Sequence, residues 1–293
     1  MFHAVSAFCN AGFSLVPDSL ERFSSNPPVV FTIALLVILG GISFSVMTDL
    51  SSTLFKKIKS LVTGKHSKNT ISTNSRTVLD YTLFLIIAGM FTFYFFEHGN
   101  VMKGQMLPHQ YLSAFFQSVT LRTAGFNTIP FSSLAPVTLF IMILFMFTGG
   151  AAGSTAGGIK INTLAVIVSY LKSISLRRKN IIIYDRQLPL SAVLKAFSVL
   201  ALALASVAGG FIILLASEKA PPLDLLFETV SAFATVGLST GVTPDLSYVG
   251  KAVIIVLMFA GRLGPLAIIA SLVSRQQFEK SVHSFPEADI LIG

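Results

Sequence analysis

One segment occurs three times in this chain of 293 residues. The copies are Ser6-Ala7-Phe8-Cys9-Asn10-Ala11-Gly12-Phe13, Val119-Thr120-Leu121-Arg122-Thr123-Ala124-Gly125-Phe126 and Ser231-Ala232-Phe233-Ala234-Thr235-Val236-Gly237-Leu238. Gly12 and Gly125 lie 113 residues apart, and Gly125 and Gly237 lie 112 apart. Aromatic residues open each copy: Phe2, then Phe115-Phe116, then Phe227. Solenoid units repeat every 20–50 residues or so. A period this long therefore marks a sub-domain.

Each copy sits among apolar runs. Val29 to Phe55, opened by Pro27-Pro28, reads as one membrane span, and Val78 to Phe96 as a second. Gln110 to Leu121 is a half-length helix leading into the second glycine segment. Leu134 to Leu171 is too long for one plain span. Five glycines (Gly149, Gly150, Gly153, Gly157, Gly158) fall within ten residues at its middle, which predicts a broken helix. Ala192 to Ala216 spans next, Leu223 to Ala234 is a further half-helix, and Tyr248 to Val273 is the last span. Charged residues make up 12% of the chain, against roughly 25% in soluble domains. Mean hydropathy is +0.77. The chain is thus expected to be an all-α integral membrane protein of repeated span–P-loop–span units, with three P-loops and five spans. The expected division is 1–76, 77–188 (with a special loop at 148–160) and 189–293.

The formal charge is +8. Fourteen of the 21 Lys and Arg residues fall in two basic loops, their flanks and the C-terminal tail. The positive-inside bias places those segments in the cytoplasm and the glycine segments outside. The excess is loop charge, not a nucleic-acid surface. Cys9 is the single cysteine, which rules out an intrachain disulfide. His3, His66, His98, His109 and His283 are scattered, so no metal site is expected. No catalytic constellation and no ATPase motif stand out, and the chain does not read as an enzyme.

Non-helical backbone at membrane depth survives only where protein buries it or water lines it. Re-entrant segments converging on one axis give a ring of carbonyls, which can replace the water shell of K⁺. Glycine adopts the positive φ that keeps successive carbonyls on one side. The half-helix before it points its partly negative C-terminal end at the pore. Re-entrant packing without conduction is the plainer reading. Alternating access would require inverted repeats, whereas these three share one orientation. The Gly149–Lys160 loop lacks the Gly-Lys-Ser/Thr ending of a phosphate-binding loop, and no strand–helix unit surrounds it. A gate and a structural kink both remain open for it. Arg262 falls in the middle of the last apolar run, where burial costs at least about 2.5–3.5 kcal/mol. It marks either function or a structural ion pair.

The glycine segments, the Gly149–Lys160 loop and Gly261-Arg262-Leu263-Gly264-Pro265 together resemble the Trk/Ktr/HKT superfamily of potassium transporters, and within it the membrane subunits of bacterial Ktr systems. The resemblance covers essentially the whole chain. It implies a pseudo-fourfold pore of four span–P-loop–span repeats. The chain begins inside what resembles the pore helix of repeat two, so a fourth P-loop is expected roughly one repeat before Gly12. The resemblance places the selectivity filter on the backbone carbonyls of Asn10, Ala11, Gly12 and Phe13, of Thr123, Ala124, Gly125 and Phe126, and of Thr235, Val236, Gly237 and Leu238. It places a gate at Gly149, Gly150, Gly153, Ser154, Gly157, Gly158, Lys160 and Arg262. By the same resemblance Arg122 braces its filter from behind and Lys160 anchors the loop. The implied activity is K⁺ uptake down the electrochemical gradient, stimulated by Na⁺. The implied partners are membrane lipid, a second copy in a homodimer, and a cytoplasmic KtrA-type regulatory ring. Nucleotide is expected on that ring, and no cofactor in this chain.

Overall fold

A computed structural model describes residues 1–63, 71–178 and 180–264. Ten α-helices, three single-turn 3-10 helices and one short hairpin make up the regular structure of the described residues. Proline starts several of the apolar helices, because the first turn has no use for the missing N–H. These are α2 (Pro27–Gly41), α5 (Leu107–Thr120), α6 (Pro136–Phe147) and α9 (Pro222–Phe233). Side chains cap others. Ser72 Oγ accepts from Ser75 N (3.2 Å) at the start of α4 (Thr73–Glu97). Ser247 Oγ accepts from Gly250 N (3.1 Å) at the start of α10 (Tyr248–Leu263). The remaining helices are α1 (Phe2–Phe8), α3 (Phe44–Thr63), α7 (Ile161–Ser175) and α8 (Leu190–Ser217). Strands β1 (Ile182–Ile183) and β2 (Arg186–Gln187) pair antiparallel.

The helices form three like units. Half-helix α1 packs on α2, α5 lies against α4, and α9 is held by α8 and α10. Two of the half-helices, α5 and α9, are deeply enclosed: Phe116, Gln117, Phe227 and Phe233 are almost fully buried, whereas α1 buries only Ser6 and Ala7. One apolar cluster runs from α4 through α6 into α9 and α10, and a second joins α1 and α2 to α5. The middle unit therefore shares a core with each neighbour. Glu97, fully buried at the end of α4, accepts from Ala135 N (2.9 Å) and Thr138 Oγ1 (2.5 Å). It caps α6 with an acceptor where the helix presents unpaired N–H groups.

Among the described residues two helices, α4 and α8, are long and apolar enough to cross a bilayer unaided. The expected single span from Val29 to Phe55 is instead two helices, α2 and α3, meeting at 102°. The break follows Gly40-Gly41 and falls at Ser43, which has φ of 72°. Beyond it, α3 carries Asp49, Lys56, Lys57 and Lys59. Such charges are costly in hydrocarbon, and the helix turns aside before reaching them. The long third run breaks as expected, into α6 and α7 of 12 and 15 residues. The end of the last expected span (265–273) and the C-terminal tail lie outside the described residues.

Candidate functional site

Each half-helix runs out just before its glycine: α1 at Phe8, α5 at Thr120 and α9 at Phe233. The backbone then takes the same course three times. Asn10, Thr123 and Thr235 have φ of 49°, 66° and 53°, and Gly12, Gly125 and Gly237 have 72°, 75° and 84°. Ala11, Ala124 and Val236, between them, are not left-handed. Alternating hand turns successive carbonyls toward one side, as a line of cation ligands requires. Only the glycines were expected to have positive φ. Left-handed backbone is tolerable for Asn but an outlier for β-branched Thr. Two threonines held there mark segments that their surroundings over-determine, and such outliers cluster at functional sites.

The surroundings are visible. Ala11 N donates to Ser6 O (2.9 Å), Ala124 N to Thr120 O (3.0 Å) and Val236 N to Ser231 O (2.8 Å). Three hydroxyls then reach past the glycine: Ser6 Oγ donates to Phe13 O (2.9 Å), Thr120 Oγ1 to Phe126 O (2.5 Å) and Ser231 Oγ to Leu238 O (2.6 Å). The carbonyls of Phe13, Phe126 and Leu238 are therefore already engaged by their own half-helices. These hydroxyls are not among the residues expected from the sequence to shape the site. Their signal was a Ser or Thr five or six residues before each glycine.

The three segments meet. A Cβ built on Gly125 would lie 2.5 Å from Val236 O, 3.1 Å from Gly12 Cα and 3.5 Å from Gly237 Cα. A cavity of about 440 Å³ opens on one side of the meeting point, lined by the three glycines with Ser14, Asn127 and Ser239. Ala124, Phe126, Val236 and Leu238 are buried, whereas Phe13 is 68% exposed. The meeting point is enclosed beside the second and third segments and open beside Phe13.

The residues of the Gly149–Lys160 loop gather against all three units. Gly149 N donates to Ile159 O (2.8 Å) and Ile161 N to Gly150 O (3.0 Å), closing its neck. Toward the first unit, Ala151 N donates to Gly41 O (2.9 Å) and Thr155 Oγ1 to Gly40 O (3.0 Å). From the second, Arg122 Nη2 donates to Gly149 O (2.7 Å), with its side chain buried beside the second glycine segment. Against the third, Gly157 approaches Thr235 so closely that a Cβ would lie 2.1 Å from Oγ1. Gly153 and Gly158 have positive φ, and Ser154 Oγ accepts from Ala156 N (3.3 Å) to shape the bend. Lys160 Nζ donates back to Ala156 O within the loop.

Arg262 differs from expectation. It lies in the last turn of α10, not mid-helix, and its side chain is exposed. Nη1 donates to Thr155 O in the loop, so among the described residues its partner is a carbonyl and not the carboxylate of an ion pair. Among the described residues, no group of His, Cys, Asp and Glu could hold a metal ion.

The family model described as TrkH, cation transport protein, matches residues 1–283. Ktr system potassium uptake protein B of Bacillus subtilis is 37% identical over the whole chain, which covers 63% of that protein. The protein of the same name from Vibrio alginolyticus is 36% identical, with 62% covered. The potassium/sodium uptake protein NtpJ of Enterococcus hirae is 33% identical, with 63% covered. The chain thus spans just under two thirds of the length of these relatives. The crystal structure of the potassium transporter TrkH from Vibrio parahaemolyticus superposes with a TM-score of 0.71 at 19% identity, covering 92% of this chain and 57% of that one. That likeness shows a shared fold.

Proposed function

The chain belongs to the TrkH family of cation transport proteins, and we propose that it carries K⁺ across the plasma membrane through the carbonyls around Gly12, Gly125 and Gly237. The family is one of transport proteins, not enzymes. One observation carries the reading: six residues, two in each of three segments, hold the same positive φ where the segments meet. Carbonyls so aligned offer a dehydrated cation uncharged ligands. The half-helices aim their partly negative C-terminal ends at the same place. The carbonyls before and at each glycine are the free ligands, because those of Phe13, Phe126 and Leu238 accept from hydroxyls.

The open side beside Phe13 takes a fourth wall of the same kind, and the units 1–76, 77–188 and 189–293 are three quarters of the ring. The 440 Å³ cavity is the outer mouth. The basic loops face the cytoplasm, where a nucleotide-binding regulatory ring docks on a homodimer of membrane subunits, and Na⁺ stimulates uptake. The names of two relatives support the direction and the system, being potassium uptake proteins of Ktr systems. The Gly149–Lys160 loop is the gate. It is tied to all three units by a handful of hydrogen bonds, from Ala151 N, Thr155 N and Oγ1, Arg122 Nη2 and Arg262 Nη1. Bonds of that kind are worth about 0.5–1.5 kcal/mol each, or about 1.5–3 where one partner is charged, so few need break for it to move.

The test is cation uptake into liposomes containing the full-length protein. Gly125→Ser is expected to lower the K⁺ over Na⁺ uptake ratio by at least about tenfold, since Cβ meets Val236 O. An unchanged ratio in folded protein refutes the filter. Shortening the loop raises flux if it is a gate. Loss of stability with no rise in flux would make it a kink.

A further inference from the structure

Beyond each glycine the chain turns toward the outer mouth, and its own half-helix catches it again. In the first unit His3, nine residues before Gly12, lies 3.2 Å from Ser14 Oγ through Nε2, and the same nitrogen accepts from Leu15 N (3.4 Å). In the third, Glu228 stands nine residues before Gly237. It accepts from Ser239 Oγ and from Thr240 N (3.3 Å), which sit two and three residues past the glycine as Ser14 and Leu15 do. In the second, Gln117 stands eight residues before Gly125, and Nε2 donates to Thr128 Oγ1 (3.3 Å), again three residues past the glycine. The place differs by at most one residue while the chemistry differs throughout: an imidazole, an amide and a carboxyl. What they share is length and hydrogen-bonding capacity, which argues for a geometric role.

We propose that His3, Gln117 and Glu228 are positioning residues for K⁺ selectivity. They fix how far the strand leaving each glycine stands from its half-helix, and so hold the carbonyl ring at the width of a dehydrated K⁺. The proposal rests on the reading of that ring as a K⁺ filter. Together with Ser6, Thr120 and Ser231, these side chains pin each outer strand at two points. Glu228 does the most. It is 4% exposed, and Oε2 also accepts from Thr243 Oγ1 (2.8 Å). Ser239, its partner, lines the outer cavity, so Glu228 is one side chain away from the ion path. Glu97 offers the contrast: its oxygens serve the start of α6 and Asn100, well away from any glycine segment. All three acceptor contacts of Glu228 go to the strand that leaves the filter. A ring that need not reorganise around the ion discriminates better than a soft one, and outer supports of this kind keep it stiff.

The experiment measures K⁺ and Na⁺ uptake by the full-length protein in liposomes, as the uptake ratio and the K⁺ concentration giving half-maximal rate. Glu228→Gln keeps Oε1 for Ser239 and Thr240 and presents an amide to Thr243, whose hydroxyl can accept. Its ratio is expected within about twofold of the parent. Glu228→Ala is expected to lower the ratio roughly tenfold and Ser239→Ala by several-fold. Gly237→Ser runs alongside. If it loses selectivity while Glu228→Ala and Ser239→Ala do not, the clamp is wrong and the filter stands. If Glu228→Gln is as damaging as Glu228→Ala, charge and not geometry is at work, and the proposal fails. If Gly237→Ser leaves the ratio unchanged, the filter reading falls and the clamp with it. Should Glu228→Ala fail to insert, Ser239→Ala decides.

Discussion

Asn10 and Thr235 hold φ of 49° and 53°, and Gly12 and Gly237 hold 72° and 84°. Yet Phe13, after the first glycine, is 68% exposed, while Leu238, after the third, is 4% exposed. The first segment borders the open side and the third is packed within the main apolar cluster. Their common shape therefore does not come from packing against the neighbouring units. It comes from the half-helix each one follows, through Ser6 and His3 in one case and Ser231 and Glu228 in the other. The conformation of each glycine segment is encoded within a unit, and the meeting of the segments is encoded between units.

The comparison can be broken hardest at the helices behind the two segments. A Cβ on Gly261 would lie 1.5 Å from Phe233 O, and one on Gly40 would lie 2.0 Å from Phe8 O. Both helices touch backbone to backbone, so neither neighbour can yield by rotating a side chain. Gly261→Ala is expected to cost about 3 kcal/mol or more and Gly40→Ala somewhat less, because Phe233 lies in the larger core. Thermal unfolding of purified protein reads both. Equal melting temperatures for the parent and Gly261→Ala would show that α10 does not sit where it is described.

A middle-sized effect separates glycine as a shape from glycine as a space. Gly125→Ala meets Val236 O at 2.5 Å, whereas Gly237→Ala meets nothing nearer than Gly125 Cα at 3.7 Å. The second substitution should cost only the left-handed backbone, about 1–2 kcal/mol, and the first clearly more. Melting temperatures falling in the opposite order would contradict the described contact between the second and third segments.

The smallest effect is one of pH. In the first unit α2 is capped by neutral Asn26, whose Oδ1 accepts from Val29 N (3.4 Å). In the third unit, Glu218 accepts from Ser247 N (3.1 Å) at the start of α10. The side-chain and backbone hydrogen bonds from Ser247 hold the Glu218 carboxyl below its ordinary value. A lowered folded value means the contribution is complete above the unfolded pKa of about 4.5 and lost as pH falls through the folded value. Glu218→Gln should therefore flatten the acid side of the melting profile, while Asn26→Ala lowers stability by about 1 kcal/mol at every pH. An unaltered acid limb in Glu218→Gln would remove Glu218 from the account.

The repeat, the half-helices and the break at Gly149–Lys160 were legible in the sequence because each rests on spacing, proline or glycine content. The bend at Ser43 was not, because hydropathy does not register that the end of α2 lies against Phe8 O. Left-handed Thr123 and Thr235 run against propensity, so nothing local announces them. The partners of Glu228, and the loop carbonyl that Arg262 meets, are fixed only once helices from separate units are placed. Arg262 read as a buried mid-span charge because the apolar run continues past it, whereas the described helix ends at Leu263.

The central claim is that the three glycine segments form one cation site. Anomalous diffraction from crystals of the full-length protein soaked in Rb⁺ or Tl⁺ tests it most directly. The account predicts density on the axis where Gly12, Gly125 and Gly237 meet, within ligand distance of carbonyls from all three segments. An ordered ring with no density there, in crystals that bind the ion elsewhere, would contradict it.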